Sequence, residues 1–482
     1  MTKLTHGIGQ FARGAGLLIL LAGCTQTRPE GVAGCNPYFY GYDPATHSVG
    51  IVNPVANWPA LATSESPTNQ AGLRHHFVPS AKFAPAKEGL TGPLIQAIRD
   101  IGVAAKAGKH PPRLNVLALS GGGEWGAYAA GIVHGWANRD AQPAASGNPG
   151  ANPAPRLQDI DIVTGISTGA VLSSLVYSAS ADPTTMLPQR AVQEIASDYT
   201  DPNIASLAVE RNVLLAAIFH NSLYDDSGLQ SKVYDTIRRY IGRLKTMPTT
   251  KRLYVGTTNA DDSTFYVADL KSIMDDVPDA PQTAAETCLS EAILASSAVP
   301  IMFTPRFIGG SMFMDGGTRA GMFSTILLTD PDVAAAIKSA GLTVDVTAII
   351  SGDMAGNNYP PPTTPTANSI VKIGLAAEGA LVDQMYKDSV YRTEMDLEAT
   401  FPVFSSRYTY LANATITSAS FPACQHLPSQ SENLFDPQFM TCIFDIGNAA
   451  WSDEPTLWTA GKAVPYVSVP PAAPPSGTNP RM

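Results

Sequence analysis

Residues 159–179 read Asp-Ile-Asp-Ile-Val-Thr-Gly-Ile-Ser-Thr-Gly-Ala-Val-Leu-Ser-Ser-Leu-Val-Tyr-Ser-Ala, and the fold is decided here. Asp159–Thr164 is a short apolar run of strand type. Thr168–Ala179 has the length and the small, apolar residues of a buried helix. Between them lies Gly165-Ile166-Ser167-Thr168-Gly169, a G-x-S-x-G sequence. A strand, a tight turn carrying serine and a helix form the setting of a nucleophile elbow. The serine must sit on a sharp turn with its hydroxyl exposed. Gly165 and Gly169, two positions away on either side, let neighbouring backbone approach without a Cβ clash. A helix that starts just after Ser167 puts positive dipole near its oxygen.

The same texture occurs upstream. Leu114–Leu119 reads as a buried strand, and Trp125–Asn138 as a close-packed helix of small and apolar residues. The turn between them is Ser120-Gly121-Gly122-Gly123-Glu124-Trp125-Gly126. Successive glycines at a helix start expose backbone N–H groups, which cradle a phosphate or an oxyanion. Gly121, Gly123 and Gly126 also fit G-x-G-x-x-G, so a dinucleotide site is an alternative. That alternative needs a second strand ending in an acid about 20 residues on. Residues 141–156 are loop-like instead, and Asp140 follows a helix. A turn needed only for packing is the third reading. Downstream, Met314-Asp315-Gly316-Gly317 ends a short apolar stretch. An aspartate there can be held against another loop, although an aspartate in a turn is by itself commonplace.

Further along, Leu187–Tyr240 reads as mostly helical, and Leu253–Asn259 with Thr264–Asp269 as a hairpin. Ala284–Ser297 is helical, Val344–Ile350 is a strand, and Ser369–Ala399 is a long solvated helix. Before Leu114 only Leu90–Lys106 reads as an element. Alternating strands and helices predict an α/β layered core. An apolar fraction of 44% over 482 residues supplies that core and excludes a wholly disordered chain. The net charge of −10, from 31 basic and 41 acidic residues, argues against nucleic acid as a partner. Five cysteines are too few for a disulfide scaffold. Cys424 and Cys442, close together in a loop-rich tail, are the favoured pair, and a Cys35–Cys288 pair stays open. No spacing suggests a zinc site, and no metal or organic cofactor is called for. Val213–Phe219 is either a mobile lid or a buried helix. His134 and His220 read as packing or surface residues.

The first residues place Lys3 and Arg13 around the short apolar run Ala15–Ala22, too short to span a bilayer. The run ends in Leu21-Ala22-Gly23-Cys24, which resembles the lipobox of bacterial lipoproteins. The resemblance implies cleavage before Cys24 and its acylation, hence attachment to the cell-envelope membrane, with Thr25 leaning to the outer membrane.

Taken together and in this order, the glycine loop, G-x-S-x-G and Asp315-Gly316-Gly317 resemble the patatin-like phospholipases. Ala295-Ser296-Ser297-Ala298-Val299-Pro300 and Phe303-Thr304-Pro305 extend the similarity. The resemblance implies a three-layer α/β fold with a mainly parallel central sheet. It also implies a Ser167–Asp315 dyad, an oxyanion hole from Gly121, Gly122, Gly123 and Gly126, and a lipid ester substrate. Ser120 stands where the family often has Asp, and Trp125 beside Glu124 where it often has a cation. Phospholipid preference is therefore less firmly implied than acyl-ester hydrolysis. One rival is a Ser-His-Asp esterase using His426, the only histidine after Asp315. The other is a catalytically silent envelope lipoprotein. Protein partners stay undefined. The chain then divides into a signal peptide (1–23), an N-terminal extension (24–113), a catalytic core (114–330), a C-terminal α/β part packing on it (331–462) and a proline-rich disordered tail (463–482).

Overall fold

The computed structural model describes residues 29–461, except 30, 33–34, 36–37, 45–46, 51–89, 143–153, 213–215, 217–219, 277–282, 355–369, 426 and 428–433. Cys24, His426, the tail and all of Val213–Phe219 but Ala216 thus lie outside the described residues.

Eleven described strands form one sheet. In chain order they are β1 (Phe39–Asp43), β2 (Ser48–Gly50), β3 (Arg113–Leu119), β4 (Ile162–Ile166), β5 (Arg252–Asn259), β6 (Phe265–Asp269), β7 (Arg306–Ile308), β8 (Ser311–Asp315), β9 (Thr343–Ile350), β10 (Phe404–Tyr410) and β11 (Thr459–Ala460). The spatial order is β11-β10-β9-β3-β4-β5-β6-β1-β2, with β8 on β5 and β7 on β8. The five central strands, β10 to β5, run parallel. The margins are antiparallel. Helices cover both faces, so the protein is a three-layer α/β fold with a mainly parallel centre.

Parallel strands buried on both faces are near-continuous apolar runs, which is why β3 and β4 are legible. Their side chains alternate between two cores. Leu117, Leu119 and Val163 join the core of the Gly126–Ala141, Thr168–Ala179 and Pro437–Ala449 helices. Leu114, Val116, Ile162 and Ile166 join the opposite core, with the Thr91–Lys106 and Pro331–Ala340 helices. The small residues of the Gly126–Ala141 helix have a specific partner. A Cβ on Gly131 would stand 2.1 Å from the carbonyl oxygen of Phe444, and one on Gly447 2.5 Å from that of Tyr128. The two helices therefore touch backbone to backbone.

Several expectations are corrected. β4 runs from Ile162 to Ile166 rather than from Asp159 to Thr164, because Leu157–Asp159 is a 3-10 turn. Leu187–Tyr240 is not continuously helical. Helices Leu187–Tyr199 and Ser227–Leu244 are separated by a ribbon pairing Val209–Glu210 with Tyr224–Asp225. The ribbon is held by Leu223 and Tyr224, whose N–H groups donate to the carbonyls of Ile301 and Met302 at 2.8 and 3.0 Å. Those long-range bonds have no local signature. Strands β1 and β2 also went unread, because β1 gains its order by pairing with β6.

Both open cysteine questions resolve into disulfides, Cys35–Cys288 and Cys424–Cys442. Cys35–Cys288 spans 253 residues and ties the N-terminal segment to the Thr283–Ser296 helix. Closing so long a loop restricts the unfolded chain strongly. Replacing both cysteines with serine should cost about 2–5 kcal/mol, read as a lower denaturation midpoint. The Cys424–Cys442 loop spans only 18 residues, so its removal should cost less.

Candidate active site

The site lies where parallel strands end and helices begin, the usual ligand crevice of an open α/β sheet. Ser167 directly follows β4 and opens the Thr168–Ala179 helix, as the sequence predicts. Its φ of 55° and ψ of −125° place a non-glycine residue in a sparsely populated region. Four hydrogen bonds hold this turn. The Ser167 N–H donates to the backbone carbonyl and Oγ of Ser296 at 3.1 and 3.0 Å. The Ser296 hydroxyl donates in turn to the Gly256 carbonyl at 2.5 Å. Ser297 Oγ donates to the Ser167 carbonyl at 3.1 Å. Neither serine was assigned a role from sequence. Their signal was the Ala295–Pro300 segment, quoted above only as a resemblance.

The motif glycines are sites of close approach. A Cβ on Gly165 would stand 2.4 Å from the Gly169 carbonyl oxygen, and one on Gly169 2.5 Å from those of Leu119 and Ser120. The nucleophile turn and the glycine loop thereby interlock. Gly126 faces Thr168 Oγ1 at 2.2 Å from its hypothetical Cβ, and Gly121 faces Ser167 Cβ at 3.0 Å. Gly122 has a φ of 147°, and its Cβ would lie 1.8 Å from the Ser351 carbonyl oxygen. No side chain fits there. Ser351 is also bonded to the loop, its N–H donating to Ser120 Oγ at 2.8 Å.

Asp315 ends β8 and is buried. Its N–H donates to the Ala298 carbonyl at 2.9 Å. Its Oδ1 accepts the Gly317 N–H at 2.6 Å, which orients the carboxylate. Gly316 packs on the Gly256 carbonyl oxygen, 2.4 Å from a hypothetical Cβ. The decisive relation is one of register. Ile166 of β4 pairs with Gly256, and Asp315 of β8 pairs with Thr257, the next residue of β5. Ser167 and Asp315, 148 positions apart in the sequence, thus arrive at one point on one strand.

Ser167 and Gly123 line a cavity of about 100 Å³. Val171, Leu175, Leu229, Val233, Phe303 and Phe435 contribute to its largely apolar wall. Phe303 and Phe435 stack at 6.5 Å between ring centres. Trp125 and Glu124, the departures in the glycine loop, both brace the next segment. Trp125 packs edge-on against Phe439 at 5.4 Å, and Glu124 Oε2 accepts the Asp436 N–H at 3.2 Å. His134 is a packing residue, bonded to Asn448 Oδ1 at 2.9 Å and set against Phe444. Asp140 accepts the Leu157 N–H at 2.7 Å and pairs with Arg139, which gives it a structural use. Among the described residues no three His, Cys, Asp or Glu cluster as metal ligands, and no helix is long and apolar enough to cross a membrane.

A strained serine turn, a glycine loop beside it and a strand-end aspartate make up the candidate site. Residues 117–327 match the family model described as Patatin-like phospholipase, and this segment is a patatin-like phospholipase domain. Its family-level chemistry is lipid acyl hydrolysis. No curated protein matches the chain.

Burial pushes the Glu124 carboxyl up from 4.5 to about 7, and the Asp436 charge adds to this while the Asp436 N–H opposes it. A raised carboxyl stabilises the fold most when protonated. That contribution is complete below about 4.5 and is lost as pH rises through about 7. The melting temperature should therefore fall over this window, and Glu124→Gln should flatten the decline. A Glu124→Gln profile parallel to wild type would refute the assignment.

Proposed function

We propose that the protein hydrolyses lipid acyl esters through a Ser167–Asp315 dyad, in the manner of a phospholipase A or lysophospholipase. The observation that carries this reading is the meeting of β4 and β8 at Gly256 and Thr257 of β5. It brings a serine and a carboxylate to adjacent register positions of one strand, and the serine also lines the apolar cavity. Asp315 takes the Ser167 proton as Oγ attacks the ester carbonyl. The resulting tetrahedral oxyanion is held by backbone N–H groups of Gly122 and Gly123, each donor being worth about 10²–10³ in rate. The alcohol leaves with the proton held by Asp315, and the acyl group stays on Ser167. Water then releases the fatty acid by the reverse proton path. Val171, Leu175, Leu229 and Val233 suit the cavity to an alkyl chain rather than a polar substrate. Trp125 and Glu124 leave the glycine loop itself without a cation, and the lysine in the cavity lining, Lys232, is paired with Asp198 at 2.5 Å.

Lipid mass spectrometry of released fatty acid tests this directly. Ser167→Ala should abolish release, and Asp315→Asn should lower it by roughly 10²–10⁴-fold. His426→Ala should leave release unchanged. Equal release by wild type and Ser167→Ala would sink the proposal, and loss in both Ser167→Ala and His426→Ala with Asp315→Asn still active would replace the dyad with a His426-dependent site.

Attachment to the envelope membrane through acylated Cys24 belongs to the same reading, supported by the lipobox-like Leu21-Ala22-Gly23-Cys24, since the acidic net charge offers no attraction to anionic headgroups. Cys24→Ser should move the protein from the membrane to the soluble fraction. Unchanged membrane partition would refute the anchor.

A further inference from the structure

The Ile370–Thr400 helix lies wholly outside the family-matched segment 117–327. It nevertheless reaches the loops around Ser167, through Tyr386 and Ser389. Tyr386 is 4% exposed and sits in a socket made by three glycines from three separate loops. Gly121 belongs to the glycine loop. Gly321 follows the Asp315-Gly316-Gly317 turn, and Gly352 follows β9. A Cβ on Gly321 would stand 2.7 Å from Tyr386 Cδ1, and one on Gly352 would stand 3.4 Å from Cε2. At Gly121 the geometry reaches the nucleophile itself. The point a Cβ would occupy is 3.2 Å from Tyr386 Oη and 3.0 Å from Ser167 Cβ. A Cβ at that position would force the tyrosine or the serine turn to give by a few tenths of an ångström.

One helical turn on, Ser389 makes a directional contact with the same region. Its Oγ accepts the Gly321 N–H at 2.9 Å. Residues at i and i+3 lie on one face of a helix, so Tyr386 and Ser389 act on the two catalytic loops together. Ser351 supports the glycine loop from the same side, through Ser120 Oγ and the close approach of Gly122. Neither Gly321 nor Gly352 belongs to a motif. Their use becomes visible only once the tyrosine is seated between them.

We propose that Tyr386 is a positioning residue that fixes the glycine loop and the Asp315 loop relative to Ser167. The Ile370–Thr400 helix is then a working part of the site. The inference rests on the hydrolase reading for its kinetic consequence, but not for its physical one. A loose glycine loop aims its N–H groups away from the developing oxyanion, while the apolar side chains of the cavity, Val171, Leu175, Leu229 and Val233, lie outside that loop. Displacement of catalytic groups by about 1 Å costs on the order of a hundredfold in rate.

The test compares Tyr386→Leu, which empties the socket, with Tyr386→Phe, which keeps the ring, and Ser389→Ala, which removes only the Gly321 contact. Amide hydrogen exchange is read at 119–126, 316–322 and, as a reference, 227–244. The rate of fluorophosphonate labelling at Ser167 and the kcat and KM for a lipid ester are read on the same samples. Tyr386→Leu should speed exchange at both loops and leave the reference alone. It should slow labelling by about tenfold to a hundredfold and lower kcat with KM unchanged. Tyr386→Phe should recover most of the labelling rate. Ser389→Ala, the variant to rely on if Tyr386→Leu does not fold, should speed exchange at 316–322. Unchanged exchange at that loop in Ser389→Ala, or wild-type labelling and exchange in Tyr386→Leu, would overturn the positioning role. Absence of labelling in the wild type would instead overturn the hydrolase reading, while the exchange measurements would still decide the positioning one.

Discussion

One edge of β5 organises the candidate site. β4 approaches it in parallel and ends at Gly256, while β8 approaches in the antiparallel sense and ends at Thr257. Both strands are fixed by backbone hydrogen bonds, so the placement of Ser167 and Asp315 follows from sheet register and not from mobile loops. Register in a buried sheet is strongly specified, because a one-residue slip would turn every side chain to the other face. The contacts around this junction are consequences of it. Gly316 must be glycine because it abuts the Gly256 carbonyl, and Ser296 can hold both Ser167 and Gly256 because the two are adjacent.

The rest of the chain stabilises that junction from several sides. Cys35–Cys288 ties the N-terminal segment to the helix that ends in Ser296. Buried Arg252, at the start of β5, is paired with Asp269 of β6. Leaving either charge unpaired in that position would be costly, so the pair enforces the β5–β6 alignment. From the C-terminal side, Ser351 and Tyr386 bear on the glycine loop, and Phe435 closes on Phe303 at the cavity wall. Segments far outside 117–327 thus share the sheet and border the site.

The elements that were legible share a cause. β3, β4, β9 and the helix after Ser167 are buried on every side or nearly so, and burial on both faces writes a continuous apolar run into the sequence. The Thr168–Ala179 helix was read to the residue. What stayed unread depends on partners distant in sequence. β1 is ordered by β6, and the 209–225 ribbon by the backbone of Ile301 and Met302. Nothing within those segments announces the pairing. The same holds for the candidate site. The motif glycines, Ser167 and Asp315 stand out locally, whereas Ser296, Ser351 and Tyr386 act through contacts that only folding creates.

By itself the sequence determined the layered α/β class, the order of the three motifs and the candidate residues for acyl chemistry. Those properties are local, since hydrophobic periodicity and the demand for glycine at tight turns are set by each residue and its near neighbours. Tertiary structure alone decided that Ser167 and Asp315 fall at adjacent register positions of β5, that Glu124 supports Asp436, and that a helix beyond the matched domain reaches the glycine loop. Each of these depends on sheet register and close packing between segments 100 or more residues apart. Such distances are fixed by the whole fold, and no window of sequence contains them.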